Sequence, residues 1–115
     1  MQEFSAPIVV AADPDGNIPG LLAARAAKTP DLTLFALPDG DGWRDLSAAD
    51  FERAVIALAK GLVASGVQPG DRIGLLSETR YEWTLFDFAV MYAGALVVPI
   101  YETSSPEQIL SLIHI

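Results

Sequence analysis

The sequence predicts an α/β fold in which one parallel strand–helix–strand unit follows a β-hairpin and amphipathic helices. Two short apolar runs, at residues 72–76 and 96–101, flank a helical pattern with short joints on both sides. Ahead of them, the turn sequence D-G-D-G separates two further strand-like runs. Apolar residues then recur every three to four positions, which is typical of an amphipathic helix. The length of 115 residues is enough for one small domain.

A short helix is the first predicted element, over residues 20–28. Pro19 suits a helix start because its missing N–H would be unpaired there in any case. Thr29 precedes Pro30, and a residue before proline avoids the helical region. We therefore expect the helix to end at that pair.

A β-hairpin is predicted next, with strands at residues 33–37 and 43–46. The D-G-D-G sequence between them favours a tight turn, because glycine and aspartate tolerate the positive φ that such turns need. The two strands should therefore pair in antiparallel fashion.

The longest helix is predicted to begin after Ser47 and to run to about residue 65. The Ser47 hydroxyl can cap the first turn, and Asp50 three positions later resembles the reciprocal half of a capping box. Gly66 suits a left-handed helix end. The predicted apolar face consists of Phe51, Val55, Leu58, Leu62 and Val63.

The strand–helix–strand unit begins after Pro69 and Gly70, whose order favours a type II turn. Its strands should be parallel, with a right-handed crossover. The run at 96–101 is apolar at consecutive positions, a pattern typical of a strand that is buried on both faces.

The helix of this unit is predicted over residues 80–92. Thr79 and Glu82 match the capping-box pattern T-x-x-E at its start, and Gly94 ends it. Aromatic side chains lie most of the way round this helix, so we expect neighbours on several of its sides. They are Tyr81, Trp83, Phe86, Phe88 and Tyr92.

Composition narrows the function classes. The net charge of −8 disfavours nucleic acid as a partner. The chain has no cysteine, which excludes disulfides and fits a cytoplasmic protein. Residues 1–4 carry an acidic rather than a basic side chain, so we expect no signal peptide. The uncharged run at 88–101 is too short to span a bilayer comfortably.

Polar residues gather where the two parallel strands end, at 77–78 and 102–104. Ligands of open parallel sheets usually bind at that edge, so residues 102–104 are as consistent with ligand contact as with an ordinary loop. Ser105 is better explained as a helix cap. We interpret Trp83 as core, and His114 has no partner for metal or base chemistry. The sequence assigns no catalytic, cofactor-binding or metal-ligating residue.

Two motifs resemble those of adenylate-forming enzymes. Residues 66–76, G-V-Q-P-G-D-R-I-G-L-L, resemble the family's G-V-x-P-G-D-R-V element, and residues 92–101 resemble its A-G-A-x-x-V-P element. T-R-Y-E-W at 79–83 and P-I-Y-E-T-S-S at 99–105 are similar to long-chain fatty acid–CoA ligases. The resemblance covers residues from about 18 to 109.

This resemblance implies that residues 1–109 form an incomplete N-terminal part of the AMP-binding large domain. The family joins a fatty acid to AMP with ATP and Mg²⁺ and then transfers the acyl group to coenzyme A. Its phosphate loop, adenine motif and catalytic lysine would all lie beyond this chain. We therefore expect the chain alone to be inactive. We also expect it to be weakly stable, because the helix at 80–92 and the strand at 96–101 need neighbours on more than one side. The parent enzyme would have no transmembrane segment, and the resemblance leaves peripheral membrane contact open.

The resemblance stops at residue 110. The codons CTG TCT CTT ATA CAC ATC, which can encode residues 110–115, resemble a transposase adapter used in sequencing libraries, so we expect this tail to be non-native. Two alternatives stay open. One is a fragment of another adenylate-forming acid ligase, and the other is an interaction module that reuses the fold.

Overall fold

The computed structural model describes residues 5–7, 9–11 and 13–114. Residues 1–4, on which the expectation of no signal peptide rests, lie outside the described part. In chain order the elements are α1 (Ile18–Lys28), β1 (Thr33–Asp39), β2 (Gly42–Ser47), α2 (Ala48–Ala64), β3 (Arg72–Leu76), α3 (Tyr81–Tyr92), β4 (Leu96–Ile100) and α4 (Pro106–Ile113).

The predicted hairpin is confirmed. Strands β1 and β2 pair in antiparallel fashion, and Asp39 lies opposite Gly42 at the turn. Gly40 has a φ of 59°, the positive value that the D-G-D-G sequence suggested. Both strands are slightly longer than predicted, because the pairing continues up to the turn.

The start of α1 differs from the prediction. The helix begins at Ile18, and the side chain of Asn17 accepts a hydrogen bond of 2.8 Å from the Gly20 N–H. Pro19 therefore lies inside the first turn instead of before it. The predicted end is confirmed, because Thr29 is the C-terminal cap.

Helix α2 begins after Ser47, whose hydroxyl oxygen accepts the Asp50 N–H at 3.2 Å. The Asp50 carboxylate accepts from the Ser47 hydroxyl at 2.9 Å and also pairs with Arg53. The Ser47 cap is confirmed, but this carboxylate bonds to a hydroxyl where a capping box would use the backbone N–H. Gly66, with φ of 103°, follows the helix as predicted.

The strand–helix–strand unit is also confirmed, because β3 and β4 pair in parallel from Arg72↔Leu96 to Leu76↔Ile100. A turn precedes β3, in which the Asp71 N–H donates to the Gln68 carbonyl at 3.1 Å. Gly70 has a φ of 86° in this turn, as a type II turn requires.

The predicted capping box of α3 is wrong. The N-cap residue is Arg80, with an extended backbone and no side-chain cap. Helix α3 therefore begins at Tyr81, which leaves Thr79 one residue too early to cap it. Glu82 lies 3.4 Å from Arg80 as an exposed ion pair instead.

The core lies between α1, α2, α3 and the hairpin of β1 and β2, and it centres on Phe51, which is 1% exposed. Its ring centroid lies 4.8 Å from Phe35, 5.5 Å from Phe88 and 6.1 Å from Tyr81. Such tilted aromatic pairs stabilise a core beyond simple area burial. Val63, predicted on the apolar face of α2, is 53% exposed and does not belong to this core.

Tyr92 joins three helices. Its hydroxyl lies 3.1 Å from the Pro19 carbonyl oxygen and 3.3 Å from Glu52 Oε1, and one hydroxyl hydrogen serves both acceptors. Partial burial raises the pKa of Tyr92 to about 12, and the neighbouring Glu52 carboxylate adds to this effect.

The sheet of β3 and β4 departs from the expectation that its second strand is buried on both faces. Leu96 is 57% exposed and Leu76 is 56% exposed, whereas Leu75 is buried. Helix α3 covers one face and leaves the other largely open. No helix in the described part of the chain is long and apolar enough to cross a membrane.

Candidate functional site

The candidate site is a pocket at the carboxyl ends of β3 and β4. The two strands are parallel, so both end at the same edge of the sheet. The pocket has a volume of about 230 Å³. It is lined by Ser77, Glu78, Thr79, Trp83, Pro99, Ile100, Tyr101, Glu102 and Thr103.

The loop after β4 contributes the polar cluster that the sequence singled out. Glu102 and Thr103 line the pocket, whereas Ser104 lies beside a neighbouring shallow cleft. The Ser104 N–H donates to the Tyr101 carbonyl at 3.0 Å, which closes a tight turn. The loop is therefore held by a hydrogen bond of its own backbone, and it contributes Glu102 and Thr103 to the pocket.

Ser105 has the structural role that the sequence predicted. Its hydroxyl oxygen accepts the Gln108 N–H at 3.3 Å, and its own N–H donates to Gln108 Oε1 at 2.8 Å. This is a complete capping box at the start of α4. A backbone hydrogen bond, with help from the Ser105 hydroxyl, lowers the pKa of the exposed Glu107 in the same turn.

Trp83 is the pocket residue that sequence reasoning missed. We interpreted it as core because it belongs to the aromatic series of α3, yet it is only partly buried and lines the pocket. Because α3 begins at Tyr81, Trp83 lies in the first turn, next to the end of β3. The first turn of a helix that follows a parallel strand always borders the ligand edge, and that position was the available signal.

The electrostatics of the pocket are acidic. Glu78 and Glu102 bring two carboxylates, and the described lining residues include no lysine or arginine. A nucleoside triphosphate needs positive charge or backbone N–H groups around its phosphates. The volume is also below the roughly 300–1,000 Å³ of typical small-molecule sites. The residues of this pocket therefore do not fit ATP by themselves.

Metal binding has no clear centre in the structure. Across residues 5–7, 9–11 and 13–114, no three histidine or acidic side chains converge on one point. His114 is the C-terminal cap residue of α4, and its backbone N–H donates to the Leu110 carbonyl at 3.1 Å.

A larger groove of about 390 Å³ lies between α2 and α3. Its lining is mostly apolar, with Lys60 and Tyr92 as the polar contributors. Since α3 runs back from the carboxyl ends of the strands, the end of α3 at Tyr92 lies near the start of β4. This groove therefore lies away from the ligand edge.

The fold and its ligand edge define the class of protein. A sequence model of the AMP-binding enzyme family matches residues 22–114, and the chain belongs to that family. Its motifs at residues 66–76 and 92–101 lie where the structure forms the turn into β3 and the start of β4.

Particular relatives make the likeness more specific. The chain is 38% identical over 109 residues to the long-chain-fatty-acid–CoA ligase FadD15 of Mycobacterium bovis, covering 95% of this chain and 18% of that protein. It is 32% identical over 99 residues to enterobactin synthase component F of Escherichia coli O157:H7, covering 86% of this chain and 7% of that one.

A solved structure shows the same arrangement of elements. It is a putative long-chain-fatty-acid CoA ligase from Rhodopseudomonas palustris, with a TM-score of 0.75 and 29% identity, covering 87% of this chain and 24% of that chain. The chain thus spans about a fifth of the length of the first curated relatives that it matches.

Proposed function

We propose that this chain is the N-terminal part of a long-chain fatty acid–CoA ligase, comprising residues 1–109 of its AMP-binding domain. The observation that carries the proposal is the 38% identity to a ligase of that description over 109 residues. The parent enzyme would use ATP and Mg²⁺ to form an acyl-adenylate, and coenzyme A would then displace AMP. The lack of cysteine fits the reducing cytoplasm in which we propose that it acts.

The chemistry explains why this part alone should be inactive. A carboxylate resists attack until its oxygen carries a good leaving group such as AMP, and the phosphates must be held by positive charge during that transfer. The pocket at the ends of β3 and β4 presents Glu78 and Glu102 instead. We therefore assign no catalytic step to a residue of this chain, and we regard it as scaffold for the ligand edge.

An exchange assay tests this inactivity. Purified chain is incubated with ATP, Mg²⁺, a long-chain fatty acid and labelled pyrophosphate, and the label that enters ATP is measured. We expect no fatty-acid-dependent exchange above a blank without protein. The full-length Mycobacterium bovis relative provides the positive control. Clear exchange by the chain alone would falsify this part of the proposal.

A domain exchange tests the assignment to the fatty acid ligases. The segment of the mycobacterial relative that matches this chain is replaced by residues 18–109. We expect the chimera to form fatty acyl-CoA, because the packing and the ligand edge are preserved. A second chimera carries Leu75→Asp, which places a charge in the buried face of β3. If the first chimera is as inactive as the second, the assignment is wrong.

Another adenylate-forming ligase is the second candidate, and the match to enterobactin synthase component F favours it. The same segment can be placed in that protein. Activity retained in the synthase and lost in the fatty acid ligase would select this alternative.

A further inference from the structure

Three aspartates of this chain are each followed directly by glycine, at residues 15–16, 39–40 and 41–42. Such a pair can rearrange, because glycine carries no Cβ and lets its backbone nitrogen approach the aspartate side chain closely. The reaction needs a glycine N–H that is not held in a hydrogen bond and a backbone that can rotate. The three pairs share the same local chemistry, so the structure decides between them.

The pair Asp15–Gly16 is held in a turn. The Gly16 N–H donates to the Asp13 carbonyl at 3.1 Å, and the Asp15 N–H donates to the Asp13 carboxylate at 3.0 Å. A Cβ placed on Gly16 would lie 3.2 Å from Asp13, so the space around this glycine is filled. The nitrogen that would have to attack is therefore engaged.

The pair Asp41–Gly42 is held by the hairpin. Asp39 pairs with Gly42 across the turn, and Pro38 pairs with Trp43 beside them. Hydrogen-bonded and non-hydrogen-bonded pairs alternate along an antiparallel ladder, and proline has no N–H to donate. Asp39 and Gly42 therefore form the hydrogen-bonded pair, in which the Gly42 N–H donates to the Asp39 carbonyl. This second attacking nitrogen is engaged as well.

The pair Asp39–Gly40 differs from both. Gly40 is the first residue of the turn between β1 and β2, and among the described residues its N–H has no acceptor. A Cβ placed on Gly40 would have nothing within 4 Å. Asp39 is exposed at the end of β1. Its backbone has to rotate before its side chain can reach the next nitrogen, and the tip of a two-stranded hairpin opens more readily than a packed element.

We propose that Asp39 is a modification site, at which the chain converts aspartate to isoaspartate without an enzyme. The Gly40 nitrogen forms a bond to Cγ of Asp39. The carboxyl OH leaves with the amide proton as water, which closes a five-membered imide. Water then adds to the ring and breaks the bond between this nitrogen and the original backbone carbonyl, so that the main chain runs through Cγ. The water lost in the first step is regained in the second.

The product changes the end of the hairpin. It adds one methylene to the main chain at the last residue of β1, so Asp39 can no longer pair with Gly42 in the present register. The same strand carries Phe35, whose ring centroid lies 4.8 Å from that of Phe51 in the core. The isomerised chain should therefore melt at a lower temperature than fresh chain.

Ageing of the full chain tests the site. The chain is kept at neutral pH in a buffer with an osmolyte that favours the folded state. Isoaspartate at each of the three positions is quantified by peptide fragmentation that distinguishes the two backbones. We expect it to accumulate about fivefold faster at residue 39 than at residues 15 and 41, which is the factor that one net backbone hydrogen bond carries. In urea, where the turns are lost, the three rates should be similar.

Two variants provide a matched control. Asp39→Glu lengthens the side chain by one methylene, which prevents the five-membered ring, so the product at residue 39 should disappear. Asp41→Glu makes the same change at the other exposed position of the turn and should leave the rate at residue 39 unchanged.

Three results would overturn the proposal. One is an equal rate at the three positions of the folded chain, and another is a faster rate at residue 15 or 41. The third is a preference for residue 39 that persists in urea, because the local sequence and not the fold would then be its cause.

Discussion

Replacement of Phe51 by alanine should remove most of the stability of this chain. The ring is 1% exposed and has three aromatic neighbours with centroids 4.8 to 6.1 Å away. A buried Phe→Ala change costs about 3–5 kcal/mol. We expect a loss of about 4 kcal/mol, which corresponds to a shift of about 2 M in the urea midpoint for a slope of about 2 kcal/mol per molar.

The assay is urea unfolding followed by far-UV circular dichroism, in buffer with an osmolyte that raises the stability of the starting state. Val63→Ala is the matched control on the same helix, because Val63 is 53% exposed and should cost below about 1 kcal/mol. If the two variants shift the midpoint equally, the assignment of the core to Phe51 is refuted.

A double-mutant cycle separates the ring contact from the cavity. Phe35 is the nearest aromatic partner of Phe51, with an interplanar angle of 54°. We expect a coupling free energy of about 1 kcal/mol between Phe35→Ala and Phe51→Ala. Additive effects would show that the pair contributes only through buried area.

The remaining predictions concern stability and pH. The free energy of unfolding of the chain alone should be less than about 5 kcal/mol, because one face of the sheet formed by β3 and β4 is largely uncovered. A cooperative urea transition that gives a free energy well above that value contradicts this. The pKa of Tyr92 in the folded chain is raised to about 12 from its ordinary value of 10.0. Tyr92 therefore contributes its full share to the stability of the fold below pH 10, and this share is lost as the pH rises through 12. Tyr92→Phe should flatten that part of the stability–pH curve, and an unchanged slope would exclude Tyr92 as its source. Ser105→Ala should cost about 1 kcal/mol and increase hydrogen exchange in α4, whereas unchanged exchange would argue against the cap. Gly94 has a φ of 78° and an added Cβ would lie 3.5 Å from Pro69, so Gly94→Ala should lower the melting temperature. Gly61 lies within α2, and an added Cβ there has open space around it. Gly61→Ala should therefore raise the melting temperature, and the opposite order of the two variants would contradict the argument from glycine's backbone conformation.

Local signals predicted most of the fold. The turn at Gly40, the helix end at Gly66 and the cap at Ser105 each depend on a residue whose own chemistry fixes the backbone, and all three were confirmed. The starts of α1 and α3 were less predictable. Asn17 and Thr79 are both of residue types that cap helices, yet Asn17 caps α1 whereas Thr79 lies one residue before the N-cap of α3.

Tertiary context decided what local patterns could not. Val63 and Leu96 follow apolar patterns that predict burial, yet each is more than half exposed because nothing in the described chain packs over it. The same holds for Trp83 in the candidate site. Its aromatic character suggested core, but its place in the first turn of α3 brings it to the pocket. Periodicity predicts which face is apolar, and it does not predict what covers that face.

The turn into β3 and the turn into β4 are held together at the end of the sheet away from the pocket. The Gly70 N–H donates to the Gly94 carbonyl at 2.9 Å, and the Leu96 N–H donates to the Asp71 carbonyl at 2.7 Å. These two hydrogen bonds fix the register of β3 against β4 at the end of the sheet that lies opposite the pocket. Insertions or substitutions in the loops after residues 76 and 100 can therefore accumulate without shifting that register. The sequence of the ligand edge can vary while the sheet that supports it stays the same.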